Sequence, residues 1–364
     1  MDPQVLLFRR QYLQLFEPDF LAWPPKQLLR DSGVQEWLYN NLFNAEKITY
    51  LPSERYQFRV IKPLVNKIEQ SIEDPEEDLL PLIVLSHVRT LSDSSSFWQE
   101  ISDQLVAHLS SLIATELPSE ETAVQQRSYV TFTCLPSSLA TSDLPDKEPT
   151  ITLLERRNLI SGSKTTGFRT WEAALHLGSY LLSPQGADVV RDKNVFELGV
   201  GTGLLSILCA KHLGAKHVTA TDGDEQVVEA FKENLFLNGV DDESKVNASV
   251  LRWGQGLKGT WVEEECETCP YDLVLGADIT YDTRSVSPLV ATLRFLFDLR
   301  PGVKVLIATA VRNAETFATL RHACDRSNFD VQEIEFAAEP IRQQKAFFYA
   351  AVVPFNILSI TNKS

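Results

Sequence analysis

Three glycines at alternate positions, Gly199, Gly201 and Gly203, follow the short apolar run that ends in Glu197 and Leu198. A helix-period stretch, LLSILCAKHLG, begins at once. Strand, glycine turn and helix in succession let a nucleotide-like ligand approach the backbone with no Cβ in the way. A dinucleotide fingerprint would place its third glycine at position 204, which is Leu204 here. Glu197, at the carboxyl end of the strand, can pair with a cationic amino group. Asp222 closes the next strand-like run, KHVTATD. It lies about 20 residues beyond the turn, where a carboxylate is placed to bind ribose hydroxyls. The alternative is that Asp222 or Asp224 caps the helix beginning at Glu225.

Two further clusters belong with these. Arg252-Trp253-Gly254 follows the third candidate strand, and an aromatic ring there can pack on an adenine or fill the core. Gly276-Ala277-Asp278-Ile279-Thr280-Tyr281-Asp282 ends the fourth. The carboxyl ends of central strands face the ligand crevice of an open α/β sheet, so Asp278 and Tyr281 should border the same ligand. Asp282 is placed to cap the helix that follows. Cys266 and Cys269 form a lone CxxC in the acidic stretch EEECETC. Two ligands fall short of the four a structural zinc takes, so a surface loop with no metal is expected.

The elements that must hold these residues alternate regularly. Strands are expected near 194–198, 216–221, 246–252, 271–277 and 303–309, and helices near 203–213, 224–237, 284–298 and 313–327. Gly214 and Gly239 stand where helix C-caps belong. This alternation implies parallel βαβ units with helices on both faces. FDVQEIEF and KAFFYAAVV read as two closing strands with no long helix between them, an antiparallel finish. Upstream, RSYVTFTC and ITLLERRNLI read as strands separated by the proline-containing loop PSSLATSDLPDKEPT. SGSKTTGFRT is a polar loop leading into a helix.

Before about residue 120 the period is helical. Val5–Phe16, a run from Pro24–Pro25 to Leu42, a third after Ser53 through Ile68, then Leu79–Leu91 and Phe97–Ile113 suggest five helices. The expected organisation is a helical domain over 1–122 and an α/β domain over 123–364. The helical domain carries no catalytic constellation, so its role is support or the docking of a protein substrate.

The chain has 364 residues, 44% of them hydrophobic, and a net charge of −15 from 34 basic and 49 acidic residues. No block of Lys and Arg suited to a phosphate backbone appears, so nucleic acid is disfavoured as the main partner. An acidic surface suits a basic protein partner, or simply keeps the chain in solution. Five scattered cysteines disfavour a disulfide framework and favour a reducing compartment. Arg9 and Arg10 interrupt the first apolar run, unlike a secretory signal. No stretch approaches the ~20 apolar residues of a membrane span. A cytoplasmic protein, by default a monomer, is expected.

In order along the chain, GSKTTGFRTWEAALHLGSYL, FELGVGTGLLSILCAKHLGA, TATDGDEQVVEAFKENLFLNG, RWG and GADITYD resemble the methyltransferase-family-16 group of protein lysine methyltransferases. The match covers roughly residues 127–353. The helical extension, with FRRQYLQLF, resembles the branch that modifies eukaryotic elongation factor 2. The resemblance implies a seven-strand Rossmann-like methyltransferase sheet, S-adenosylmethionine as methyl donor and a lysine of elongation factor 2 as acceptor. It implies cofactor contacts from Trp171, Glu197, Gly199, Gly201, Gly203, Asp222, Trp253 and Ala277. It places Asp278 and Tyr281, the DxxY pair, at the acceptor, with Asp278 orienting the lysine and Tyr281 lining its channel. The family often has an acidic residue where Arg252 precedes Trp253, so that position departs from the pattern.

Rival readings are weaker. Nucleic-acid and glutamine-amide methyltransferases usually carry an NPPY-like sequence where this chain reads ADIT. A member of the same group acting on a chaperone lysine or a histidine is the nearest alternative. A non-catalytic relative would be expected to have lost the glycine turn or the ribose acid, and both are intact. A nicotinamide oxidoreductase is disfavoured by Leu204.

Overall fold

A computed structural model describes residues 1–72, 100–115, 126–136, 139, 145, 147–156 and 166–363. The expected helix over 79–91, the start of the one over 97–113, most of the 137–146 loop, residues 157–165 and the 122/123 boundary lie outside them. The chain divides into two compact units, Met1–Ala123 and Val124–Ser364.

The described residues of the first unit form α1 (Pro3–Leu13), α2 (Lys26–Leu29), α3 (Ser32–Leu42), α4 (Glu54–Ile72) and α5 (Asp103–Ala114). Phe8, Tyr12, Leu38, Val60, Leu64 and Leu105 are fully buried, each on the inward stripe of its helix. The run from Pro24–Pro25 to Leu42 is two helices, not one. Asp31 accepts from the Val34 amide at 2.9 Å and so starts α3 afresh. Tyr12 packs against the Phe43 and Tyr56 rings at 5.3 and 5.5 Å.

In the second unit, β1 (Ser128–Thr133) and β2 (Thr150–Glu155) form an antiparallel pair apart from the main sheet. The main sheet comprises β3 (Asn194–Leu198), β4 (His217–Asp222), β5 (Val246–Val250), β6 (Leu273–Ala277), β7 (Lys304–Ala310), β8 (Phe329–Ile334) and β9 (Phe355–Asn362). Its order is β5-β4-β3-β6-β7-β9-β8. The first five pair in parallel, and β9 runs antiparallel to both β7 and β8. The helices are α6 (Glu172–Leu182), α7 (Ala187–Val190), α8 (Leu204–Lys211), α9 (Glu225–Asn238), α10 (Trp261–Thr268), α11 (Thr283–Leu299) and α12 (Ala314–Arg326). Strand order reverses between β3 and β6, which makes their carboxyl ends the switch point where such sheets bind ligands.

The far edge of β2 is covered by side chains instead of a strand. Asn234 and Asn238, one turn apart on α9, accept from the Leu154 and Thr152 amides at 2.8 and 3.1 Å. Asn238 also donates to the Thr152 carbonyl at 2.7 Å. The small hairpin is thereby fixed beside the glycine turn.

Two further stretches differ from the sequence expectation. KAFFYAAVV is irregular, and the last strand is Phe355–Asn362, just past Pro354. The Gln344 side chain takes the place of a strand partner there, accepting from the Tyr349 amide and donating to its carbonyl, each at 2.9 Å. The stretch containing Cys266 and Cys269 is no loop: Trp261–Thr268 is helix α10, which buries Val262 and Cys266 on one face. Its Glu265 accepts from the Thr219 hydroxyl at 2.9 Å and lies 3.2 Å from His217.

Candidate active site

The glycine turn is strained where only glycine tolerates it. Gly199, Gly201 and Gly203 all have positive φ, at 71°, 53° and 90°. A Cβ on Gly199 would stand 2.6 Å from Ile279 Cγ2, so the turn packs directly on the loop after β6. A Cβ on Gly203 would lie 2.1 Å from the Phe231 ring.

A cavity of about 630 Å³ opens at the carboxyl ends of β3, β4, β5 and β6. Trp171, Glu197, Gly199, Gly201, Asp222, Trp253, Ala277, Asp278 and Tyr281 all line it. Gly203 does not: it lets α8 pack on Phe231 from outside the cavity.

Glu197 is 2% exposed and accepts from the Ser206 hydroxyl. Burial raises its carboxyl to about 8, against the opposing pull of that hydroxyl. Among the described residues no cation pairs with it. Asp222 and Asp224 divide the two roles open in the sequence. Asp224 caps α9 by accepting from the Gln226 amide at 2.8 Å. Asp222 instead faces the cavity, with Oδ2 accepting from the Gly201 amide and Oδ1 from the Asp224 amide, both at 3.2 Å. Burial raises Asp222, and these amides partly offset the rise.

Trp253 packs on the core under the sheet's carboxyl edge, and its buried Nε1 has no hydrogen-bond partner among the described residues. Trp171 is fixed by a 3.0 Å bond from Nε1 to the Thr166 carbonyl. The Arg169 and Arg312 guanidiniums lie 4.9 and 5.5 Å from its ring centre. Thr170, next in line, donates to buried Glu155 at 2.5 Å and lies 2.7 Å from the Thr202 hydroxyl. This chain of contacts joins the hairpin to the glycine turn.

Asp278, also in the cavity lining, adopts φ 54°, with its amide bonded to the Ala308 carbonyl at 2.9 Å. Burial pushes its carboxyl up and Arg312 pulls it back. Arg312 Nη1 donates to both Asp278 oxygens, at 3.0 and 2.7 Å, while Nη2 reaches Glu172 at 3.3 Å. Glu172 also accepts from Arg169 at 3.2 Å. Tyr281 is 63% exposed at the cavity mouth. Asp282 caps α11 through the Arg284 amide at 3.0 Å. Arg252, the departure from the family pattern, reaches out to Glu225 at 3.5 Å.

Sequence reasoning missed Arg312, Glu172 and Arg169. One signal was present for Arg312, which follows a central strand's carboxyl end as Asp278 does. Among the described residues no group of three or more His, Cys, Asp or Glu could hold a metal ion. No helix among them is long and apolar enough to cross a membrane.

Residues 153–322 match the family model described as lysine methyltransferase. The chain is 44% identical to Protein-lysine N-methyltransferase EFM3 of Chaetomium thermophilum, over 99% of this chain and 98% of that protein. It is 33% identical to the Saccharomyces cerevisiae protein of the same name, over 60% of this chain and 67% of that one. It is 26% identical to human Protein-lysine N-methyltransferase EEF2KMT, with 96% of each chain covered. With near-complete coverage at 44% identity, and the glycine turn, Asp222 and the DxxY residues gathered round one cavity, the chain belongs to the lysine methyltransferase family.

Proposed function

We propose that the protein transfers methyl groups from S-adenosylmethionine to a lysine of elongation factor 2, acting as a monomer in the cytoplasm. One observation carries this: a buried carboxyl at Glu197, a carboxylate at Asp222 and the indole of Trp253 share a single cavity with Asp278. The cavity suits a donor with an ammonium, a ribose and an aromatic base. Among the described residues Glu197 lacks a cationic partner and the buried Trp253 Nε1 lacks an acceptor. Glu197 receives the ammonium, Asp222 the ribose hydroxyls, and Trp253 the adenine. Gly199 and Gly201 admit the donor to the backbone, while Trp171 and Ala277 close its pocket. Gly203 serves the donor indirectly, by seating α8.

Methyl transfer from a sulfonium is an in-line displacement by a neutral amine. Free lysine, with a pKa of ~10.4, arrives protonated. Holding nitrogen, carbon and sulfur in line can supply ~7–11 kcal/mol of the barrier reduction. Asp278 orients the amine, and Tyr281 lines the mouth through which the side chain enters. The helical unit, Met1–Ala123, docks the protein substrate. Elongation factor 2 is favoured by the name of the human relative and by the amino-terminal extension, which the Chaetomium protein matches along its length.

The test is incubation of the pure protein with labelled S-adenosylmethionine and a lysate lacking the endogenous enzyme. Label on a band of elongation factor 2 size supports the assignment. Label confined to another protein, such as a chaperone, or to RNA overturns it.

A further inference from the structure

Four charges of alternating sign form a chain at the cavity wall, Arg169, Glu172, Arg312 and Asp278, and all but Glu172 line the cavity itself. Arg169 and Arg312 each bond Glu172, at 3.2 and 3.3 Å, and Arg312 covers both Asp278 oxygens. The Asp278 side chain is only 6% exposed, whereas Arg312 is 42% exposed. A lysine entering beside Asp278 therefore finds a carboxylate already neutralised. This matters for the chemistry. An uncovered, buried carboxylate would bind the incoming side chain as an ammonium, whose nitrogen has no lone pair to attack with.

We propose that Arg312 is a positioning residue that denies the incoming lysine an ion pair with Asp278, so that the side chain is held beside the methyl donor as the neutral amine. The inference rests on lysine methylation at this cavity. The ammonium gives its proton to water on entry. The nitrogen lone pair then forms the N–C bond as the C–S bond breaks and its electron pair stays on sulfur. Arg312 touches none of these atoms. It acts through Asp278, which keeps a lone pair free to orient the amine.

Other charges facing this wall leave Arg312 as the deciding group. Glu172 shares its charge between Arg169 and Arg312. Asp282 is paired with Arg284 through a 2.8 Å contact. Tyr281 is at the mouth, and Glu197 and Asp222 lie where the donor binds.

The test compares wild type, Arg312→Gln and Glu172→Gln in the pH profile of kcat, which reports the bound amine. Cofactor binding shows that each variant is folded. Arg312→Gln uncovers Asp278, so the profile moves to higher pH by about one unit or more. Turnover at neutral pH falls roughly tenfold and recovers in alkali. Glu172→Gln leaves Arg312 less neutralised and moves the profile the other way. A second readout needs no turnover. With S-adenosylhomocysteine bound, Arg312→Gln should hold unmethylated elongation factor 2 several-fold more tightly at neutral pH. A lower plateau with an unmoved profile in both variants, or unchanged or weaker substrate binding in Arg312→Gln, overturns the proposal. If either variant fails to bind cofactor, the other decides by the direction of its shift. Absence of lysine methylation by the wild type overturns instead the reading on which the inference rests, and the inference with it.

Discussion

The Gly201 amide donates to Asp222 Oδ2 at 3.2 Å, which ties the acid at the end of β4 to the turn at the end of β3. The residue proposed to bind the ribose thus also shapes the loop proposed to admit the donor. Asp222→Asn keeps an acceptor for that amide but loses the charge. S-adenosylmethionine affinity should fall about tenfold to a hundredfold by calorimetry, the range for hydrogen bonds to a charged group. Asp222→Ala should also lower thermal stability, because it leaves the Gly201 and Asp224 amides without their acceptor. Affinity within twofold of wild type in Asp222→Asn would contradict the ribose role.

Glu197 links stability to pH. Burial raises its carboxyl to about 8 in the folded chain, so the folded state keeps a proton that the unfolded chain releases near the ordinary value of about 4.3. The stabilisation is complete below that value and is lost as the pH rises through about 8. Between about pH 5 and 8, melting of ligand-free wild type should decline more steeply than that of Glu197→Gln. If Glu197 receives the donor's ammonium as proposed, donor binding to the wild type should strengthen over the same window, because that contact needs the carboxylate. Parallel melting curves for the two proteins would contradict this.

The glycines should differ in what they tolerate. Gly203→Ala forces a Cβ into the Phe231 ring at φ 90° and should cost about 3 kcal/mol or more in denaturant unfolding. At Gly201 the nearest atom to a Cβ is the Gly167 carbonyl oxygen at 3.4 Å. Gly201→Ala should cost only the left-handed backbone penalty, about 1–2 kcal/mol. Equal losses would mean that Gly203 is not held by packing.

Asp278 holds φ 54°, a region that asparagine also visits readily. Asp278→Asn therefore removes the charge with little backbone disturbance. Methylation should fall about a hundredfold or more while S-adenosylmethionine affinity stays within a few-fold, the signature of a group acting on the acceptor. Turnover within a few-fold of wild type would remove Asp278 from the reaction.

Much of the α/β unit was legible because its signals are local. Strands 194–198 and 273–277 are apolar runs that end at a glycine turn or an acid, and Asp224 and Asp282 mark helix starts. The misses share a different cause. KAFFYAAVV has the aromatics of a strand, yet a glutamine side chain pairs with Tyr349 in place of a neighbouring strand. The acidic run at 263–267 hides a helix whose buried face is only Val262 and Cys266, four positions apart. Arg312 was unreadable as a partner of Asp278 because β6 and β7 bring them together across 34 positions. Spacing shows which residues end strands; only the fold shows which ends meet.

The most direct measurement is tandem mass spectrometry of purified elongation factor 2 after incubation with the protein and S-adenosylmethionine carrying a labelled methyl group. Labelled methyl is expected on a lysine, present with wild type and nearly lost with Asp278→Asn. Labelled methyl absent from every lysine of elongation factor 2, with a wild type that binds S-adenosylmethionine, would contradict the proposed function.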